Sequence, residues 1–269
     1  MLDKPTSVLL TGGALGTEYQ RLGLERSSCP DLWVLDAPEH VFAVTRSYAD
    51  AGSDLVLTTT FRANPISLAE YGRAADVVAV NETAVRIARV AAPGKAVLGD
   101  VGPIGRLGTD VERAFAIQCR ALAHAGVDAL VLETFTDVDE AAIALKAAQA
   151  TGLRTVVSFS FGAAGLPPEE AAEKMTMLGA WSVGANCGTG LQDVHEICSR
   201  MRAVTPLPLW MKPSAGLPEI VEDQPRYSTT CEHFVSALRA CVAAGAAFVG
   251  GCCGTTPQWI AAFHQSRSQ

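Results

Sequence analysis

Near the end of the 269-residue sequence, Gly250 to Pro257 reads GGCCGTTP, two adjacent cysteines set between paired glycines and a threonine-proline step. A third cysteine, Cys187, closes the run AWSVGANC at 180–187. Thiolates are soft ligands. Three of them with one open position make the pattern of a catalytic zinc site, whereas a structural zinc is closed by a fourth protein ligand. Adjacent residues on a regular strand point to opposite faces, so Cys252 and Cys253 can reach one ion only where the backbone turns. Gly250, Gly251 and Gly254 supply the freedom for that turn. The competing reading is that Cys187 and one of the pair are small buried hydrophobes, a common state of free cysteine.

Whatever holds these residues must bring two distant parts of the chain together. Eight apolar, strand-like runs recur along the sequence, at 7–12, 54–60, 96–102, 129–135, 154–160, 180–187, 207–212 and 246–252. Helical patterns such as PEHVFAVTRSYADAG, VERAFAIQCRALAHAG and CEHFVSALRACVAAG lie between them, several ending on a glycine. Strands apolar on both faces belong to parallel sheets covered by helices. Eight strand-helix repeats in a chain of this length predict an α/β fold, a closed (βα)₈ TIM barrel forming one domain over 1–269. An open doubly wound sheet is the alternative. It calls for a G-x-G-x-x-G loop after the first strand, and TGGALGT at 11–17 does not have that spacing. The stretch 213–229, PSAGLPEIVEDQPRYST, reads as a long irregular loop and a candidate lid.

In such a barrel the site forms at the C-terminal ends of the strands. Polar residues fall there: Thr11, Gly12 and Gly13 after the first run, Thr59, Thr60 and Phe61 after the second, Asp100 after the third, Glu133 after the fourth, Asn186 and Cys187 after the sixth, and Cys252 and Cys253 after the eighth. Strands six and eight are near neighbours around the ring, so the three thiols can converge above it. Asp100, near the mouth, either supplies a carboxylate to the pocket or, the favoured reading, caps the following turn. Glu133 is either a substrate carboxylate or one half of a structural ion pair. Phe61 and Trp210 either wall a pocket or pack the barrel, and His124 and His195 sit in helical patterns without a role.

Composition narrows the function classes. A net charge of −7 and the absence of a basic run exclude the electrostatic footprint of a nucleic-acid binder. No apolar segment reaches the length of a membrane span, and the N-terminal apolar stretch is too short for a signal peptide, so the expected location is the cytoplasm. There the eight cysteines stay reduced, and clustered ones point to metal or catalysis ahead of disulfides.

The motifs TGGALGTEYQ, YADAGSDLVLTTTFRAN, GDVGPIG, VLETF, GANCGTG, KPSAGLP and GGCCGTTP, in that order, resemble the homocysteine S-methyltransferase family over nearly the whole chain. KPSAGLP is most similar to the homocysteine module of cobalamin-dependent methionine synthase. The resemblance implies a barrel whose Zn²⁺ is held by Cys187, Cys252 and Cys253. It also implies methyl transfer to the thiol of homocysteine to give methionine, with Glu133 near the substrate's amino group and Thr11, Gly12, Gly13, Thr60 and Asn186 around the substrate. The family usually carries aspartate where Thr11 stands and T-N-T-F where this chain has Thr58-Thr59-Thr60-Phe61, which opens a different small thiol as an alternative acceptor.

A free thiol of pKa about 8.5 is only a few per cent ionised at neutral pH, so supplying the thiolate takes about 2 kcal/mol, which metal coordination can provide. The methyl donor must carry a good leaving group. S-methylmethionine, S-adenosylmethionine, betaine or a separate methyl-corrinoid protein each qualifies. A third possibility is a barrel without catalysis of its own that presents bound thiol to a corrinoid partner.

Overall fold

A strand that buries both faces needs a covering layer on each side, and the chain provides it by alternating strands with helices. The structure is a computed structural model that describes residues 5–25, 27–162, 165–188, 190–216, 219–221 and 224–267. Its strands, in chain order, are β1 (Leu9–Leu10), β2 (Leu55–Leu57), β3 (Ala96–Val101), β4 (Ala129–Phe135), β5 (Thr155–Phe159), β6 (Ser182–Cys187), β7 (Leu209–Pro213), β8 (Glu219–Val221), β9 (Gln224–Arg226) and β10 (Ala246–Val249). Eight of them form one parallel sheet in the order β1-β10-β7-β6-β5-β4-β3-β2. The ring closes between β1 and β2 through Asp54. Its N–H donates to the Leu10 carbonyl at 2.7 Å, and its carboxylate accepts the Leu10 N–H at 2.7 Å. The fold is the (βα)₈ barrel read from the sequence, with helices Pro38–Asp50, Val77–Ala91, Thr109–His124, Val138–Gln149, Pro168–Met177, Val194–Val204, Cys231–Ala243 and Pro257–Ser266 outside it.

The two-residue alternation of strands sorts the core. Leu55, Leu57, Leu98, Ala129, Val131, Val156, Trp210 and Phe248 fill the barrel interior. The intervening residues, Val56, Val97, Leu130, Leu132, Val157, Val183 and Met211 among them, pack against the helices. Continuing the interior rows by two residues gives Asp100 above Leu98, Glu133 above Val131 and Lys212 above Trp210. The polar layer is thus set by strand phase, directly on top of the apolar plug.

Three expected strands are much shorter than their sequence runs, among them β2, which keeps Leu55–Leu57 of 54–60. β1 keeps two ladder residues and β10 stops at Val249, because both chains turn away at the top of the barrel to form the site. The stretch 213–229 contains the antiparallel pair β8 and β9; its residues 217, 218, 222 and 223 lie outside the described residues. Among the described residues, no helix is long and apolar enough to cross a membrane.

Candidate functional site

β7 lies between β6 and β10, and its last residue joins the two halves of the cysteine cluster. Pro213 is the register partner of Cys187, and its carbonyl accepts the Cys252 N–H at 2.9 Å. Past Val249 the chain makes a turn in which the Cys252 carbonyl accepts the Thr255 N–H at 3.1 Å and the Thr255 hydroxyl at 2.7 Å. Two neighbouring thiols can therefore share a face. Gly250 is needed for close approach, since a Cβ there would stand 1.9 Å from Thr11 Oγ1; Gly254 is needed for its left-handed backbone, φ 82°. Cys187 itself has φ 58°, a conformation rare for a residue with a side chain and one that cluster requirements must hold in place.

The three Sγ atoms lie within 4.8 Å of one another, with Cys187 and Cys253 3.8 Å apart. Sulfurs bound at about 2.3 Å to one tetrahedral ion would themselves be about 3.8 Å apart, so the donor set fits a single thiophilic metal ion. Among the described residues no fourth Cys, His, Asp or Glu joins the group, which leaves a position for an exogenous ligand. Without a metal the sulfurs compete for protons. Hydrogen bonds from Cys252 and Cys253 pull the Cys187 thiol down to about 3, while its interaction with Cys187 pushes Cys252 up to about 11 and Cys253 is pushed up as well.

Asn186 ties this cluster to β4. Its Oδ1 accepts the Thr134 N–H at 2.9 Å and the Ser158 hydroxyl at 2.6 Å; its Nδ2 donates to Thr134 Oγ1 at 2.6 Å and points to Cys252 Sγ at 3.8 Å. Thr134 has φ 68°, and the register between β4 and β5 shifts between Leu132 and Phe135. That bulge breaks the ladder where Glu133 stands, and bulges commonly re-aim side chains beside functional sites.

A cavity of about 240 Å³ opens beside the sulfurs, with Tyr19, Asp31, Phe61, Asp100, Glu133 and Lys212 in its wall. Lys212 Nζ donates to Glu133 Oε2 at 2.6 Å, and both residues are buried. Burial opposes the charge of Lys212, but Glu133, Cys252 and Asp100 outweigh it and hold the ammonium above its ordinary value. Burial raises Glu133, with Lys212 opposing; burial and then the Glu133 charge raise Asp100 well above the carboxylate range.

The threonines of β2's end hold the Asp100 backbone. Thr58 Oγ1 accepts the Asp100 N–H at 3.0 Å, and Thr60 Oγ1 donates to the Asp100 carbonyl at 2.7 Å. Asp100 Oδ1, buried, has no hydrogen-bond partner among the described residues. The expectation that Asp100 caps the following turn is therefore corrected: its carboxyl belongs to the cavity wall.

Of the candidates named from sequence, the cavity is lined by the three cysteines, Glu133, Thr60 and Gly13. Thr11, Gly12 and Asn186 are not in its wall. Thr11 is fully buried with its hydroxyl bonded to the Gly12 carbonyl at 3.0 Å. Phe61 is in the wall, whereas Trp210 packs on Phe248 inside the barrel, ring centroids 5.3 Å apart. His124 and His195 are exposed on their helices. Sequence reasoning assigned nothing to Lys212, Asp31 or Tyr19. For Lys212 a signal existed, a lone cation closing the apolar run LPLWMK.

The sequence profile described as homocysteine S-methyltransferase matches residues 9–266. This chain belongs to the homocysteine S-methyltransferase family. The methionine synthase of Mycobacterium leprae (strain TN) is 28% identical over 291 residues and that of Mycobacterium tuberculosis (strain ATCC 25618 / H37Rv) 27% over 285. Each alignment covers 94% of this chain, which spans only 24% of the length of those relatives. Among solved structures, the homocysteine methyltransferase MmuM from Escherichia coli is similar in its metallated form (TM-score 0.83, 24% identity, 97% of this chain and 96% of that one) and its oxidized form (TM-score 0.79, 26% identity, the same coverage). Within the homocysteine S-methyltransferase fold, Cys187, Cys252 and Cys253 are thus a compact sulfur set at the mouth of the barrel, beside the cavity.

Proposed function

We propose that this chain is a zinc-dependent S-methyltransferase that moves a methyl group to the thiol of homocysteine and so makes methionine. The observation that carries the reading is the convergence of three thiols within 4.8 Å beside a cavity, in a chain of this family. Cys187, Cys252 and Cys253 would hold the Zn²⁺, whose Lewis acidity lets the acceptor thiol ionise near neutral pH. Asn186 keeps the Cys252 side of the set in register with β4, and the sulfurs supply the negative charge that keeps the acceptor sulfur nucleophilic. Tyr19 and Phe61 provide apolar wall that shields the reacting sulfur from water.

The donor must present its methyl in line with that sulfur and leave as a neutral or well-stabilised group. S-methylmethionine, S-adenosylmethionine, betaine and a methyl-corrinoid protein meet that requirement, and a reducing cytoplasm keeps the three thiols free. A second reading, transfer to another small thiol, is favoured by the Lys212 to Glu133 contact, which occupies a carboxylate the family resemblance assigns to homocysteine's amino group.

The test is to supply zinc-loaded protein with homocysteine and each donor in turn and to weigh the products by mass spectrometry. Methionine formed with at least one donor is the expected result. Absence of methionine with every donor, a methyl-corrinoid protein included, refutes the reading. Transfer only with the corrinoid protein makes the chain a partner-dependent enzyme.

A further inference from the structure

Three carboxyl groups face the cavity, and they are not equivalent. Glu133 is engaged by the Lys212 ammonium at 2.6 Å. Asp31 accepts the Arg62 N–H on Oδ1 at 3.2 Å and the Cys29 thiol on Oδ2 at 3.4 Å. Asp100 has a buried Oδ1 with no hydrogen-bond partner among the described residues, and only 4% of the residue is exposed. A buried acceptor without a partner is costly and rare in folded proteins.

From these contrasts we infer that the Asp100 carboxylate receives the ammonium of the acceptor amino acid, the role the family resemblance would give to Glu133. The inference rests on the reading of the acceptor as an α-amino thiol. Several observations meet in it. A substrate ammonium placed on Glu133 would sit against the Lys212 ammonium, a like charge in a buried site. Thr11, where the family resemblance would place an aspartate, is neutral and turned to the Gly12 carbonyl, so the first strand offers no carboxylate.

The hydroxyls nearest Asp100 are spent on its backbone, which fixes the residue while leaving the carboxyl free for a ligand. Lys212 keeps further N–H donors beyond the one given to Glu133. Cation and free carboxylate in the same polar layer, on opposite sides of the cavity, are complementary to a zwitterion. Burial and the neighbouring Glu133 make ionised Asp100 unfavourable in the empty site, and an arriving ammonium relieves that.

The test compares homocysteine with its des-amino analogue, the same thiol chain ending in a carboxylate alone. Binding is read on the visible absorption of cobalt-substituted protein, with no methyl donor present, in the wild type, Asp100→Asn and Asp100→Ser. The wild type is expected to bind homocysteine about 10- to 100-fold more tightly than the analogue, the range of one charge-assisted hydrogen bond. In both variants that preference disappears while the analogue binds as before, which also shows that the site is folded. Retained preference in the variants overturns the assignment of Asp100, and so does a wild type that binds both thiols alike; either leaves thiol methylation standing. A metal band that responds to neither thiol overturns the acceptor reading as well.

Discussion

Lys212 Nζ lies 2.6 Å from Glu133 Oε2, with both residues buried at the top of the barrel. The contact joins β7 to β4 across the interior, above the plug formed by Trp210 and Val131. Removing one member of a buried pair leaves an uncompensated charge, at a cost of about 3–5 kcal/mol. Lys212→Met is expected to lose stability in that range by urea unfolding, and the double variant Lys212→Met/Glu133→Gln to lose less than the sum of the single changes. Additive losses would show that the pair is not coupled.

Asp100 makes stability depend on pH in a definite direction. Its folded pKa is raised by burial and by Glu133, so the folded chain keeps a proton that the unfolded chain loses near pH 4. Stability therefore falls as pH rises above that value, until folded Asp100 has ionised. Glu133 is also raised and adds to the fall; Lys212, Asp31 and Cys252 are the other charged or titrating groups facing Asp100. Asp100→Asn removes its share of the slope. In the ligand-free protein the variant should gain on the wild type by about 1–3 kcal/mol between pH 4 and pH 8, followed by thermal melting. Parallel melting curves against pH would contradict this.

Asn186 is not itself in the cavity wall, yet it spans the cysteine cluster and the bulge at Thr134. Asn186→Ala is expected to weaken metal binding by about 10- to 100-fold, measured by competition with a chelator, as for other groups that orient metal ligands. The loss of its two accepted hydrogen bonds should also lower stability by about 1–3 kcal/mol. Wild-type metal affinity in this variant would leave Asn186 without a part in holding the ion.

Gly250 faces Thr11 across the gap between β10 and β1. Gly250→Ala should destabilise by about 1–3 kcal/mol through overpacking, and Thr11→Ala in the same chain should restore part of it. Thr11→Ala alone is expected to leave the KM for homocysteine within about twofold, since Thr11 lies outside the cavity wall. A large rise in KM would return Thr11 to the substrate site.

The fold was legible because interior and exterior rows alternate without interruption in runs such as ALVLETF, and because the helical stretches between the runs hold to one period. The cysteines were legible because packing alone gives little reason to set two adjacent thiols amid glycines. What escaped was pairwise. Nothing local in LPLWMK or VLETF says that Lys212 and Glu133 meet, since contact across a barrel depends on strand phase at both ends. Asp100 was only half legible, its pocket role ranked below a turn cap, for a related reason. A carboxylate before a turn usually caps it, and only the neighbouring threonines, by binding the Asp100 backbone, reveal that its side chain is left over. Thr11 shows the converse, a strand-end hydroxyl that the approach of Gly250 keeps buried and out of the cavity.

The central claim is that Cys187, Cys252 and Cys253 jointly hold one zinc ion with a position open to the acceptor thiol. X-ray absorption at the zinc edge of the loaded protein tests it most directly. Three cysteine sulfurs at about 2.3 Å should be found in the resting protein, with a fourth sulfur appearing on addition of homocysteine. Fewer than three sulfurs, or a metal environment unchanged by homocysteine, would contradict it.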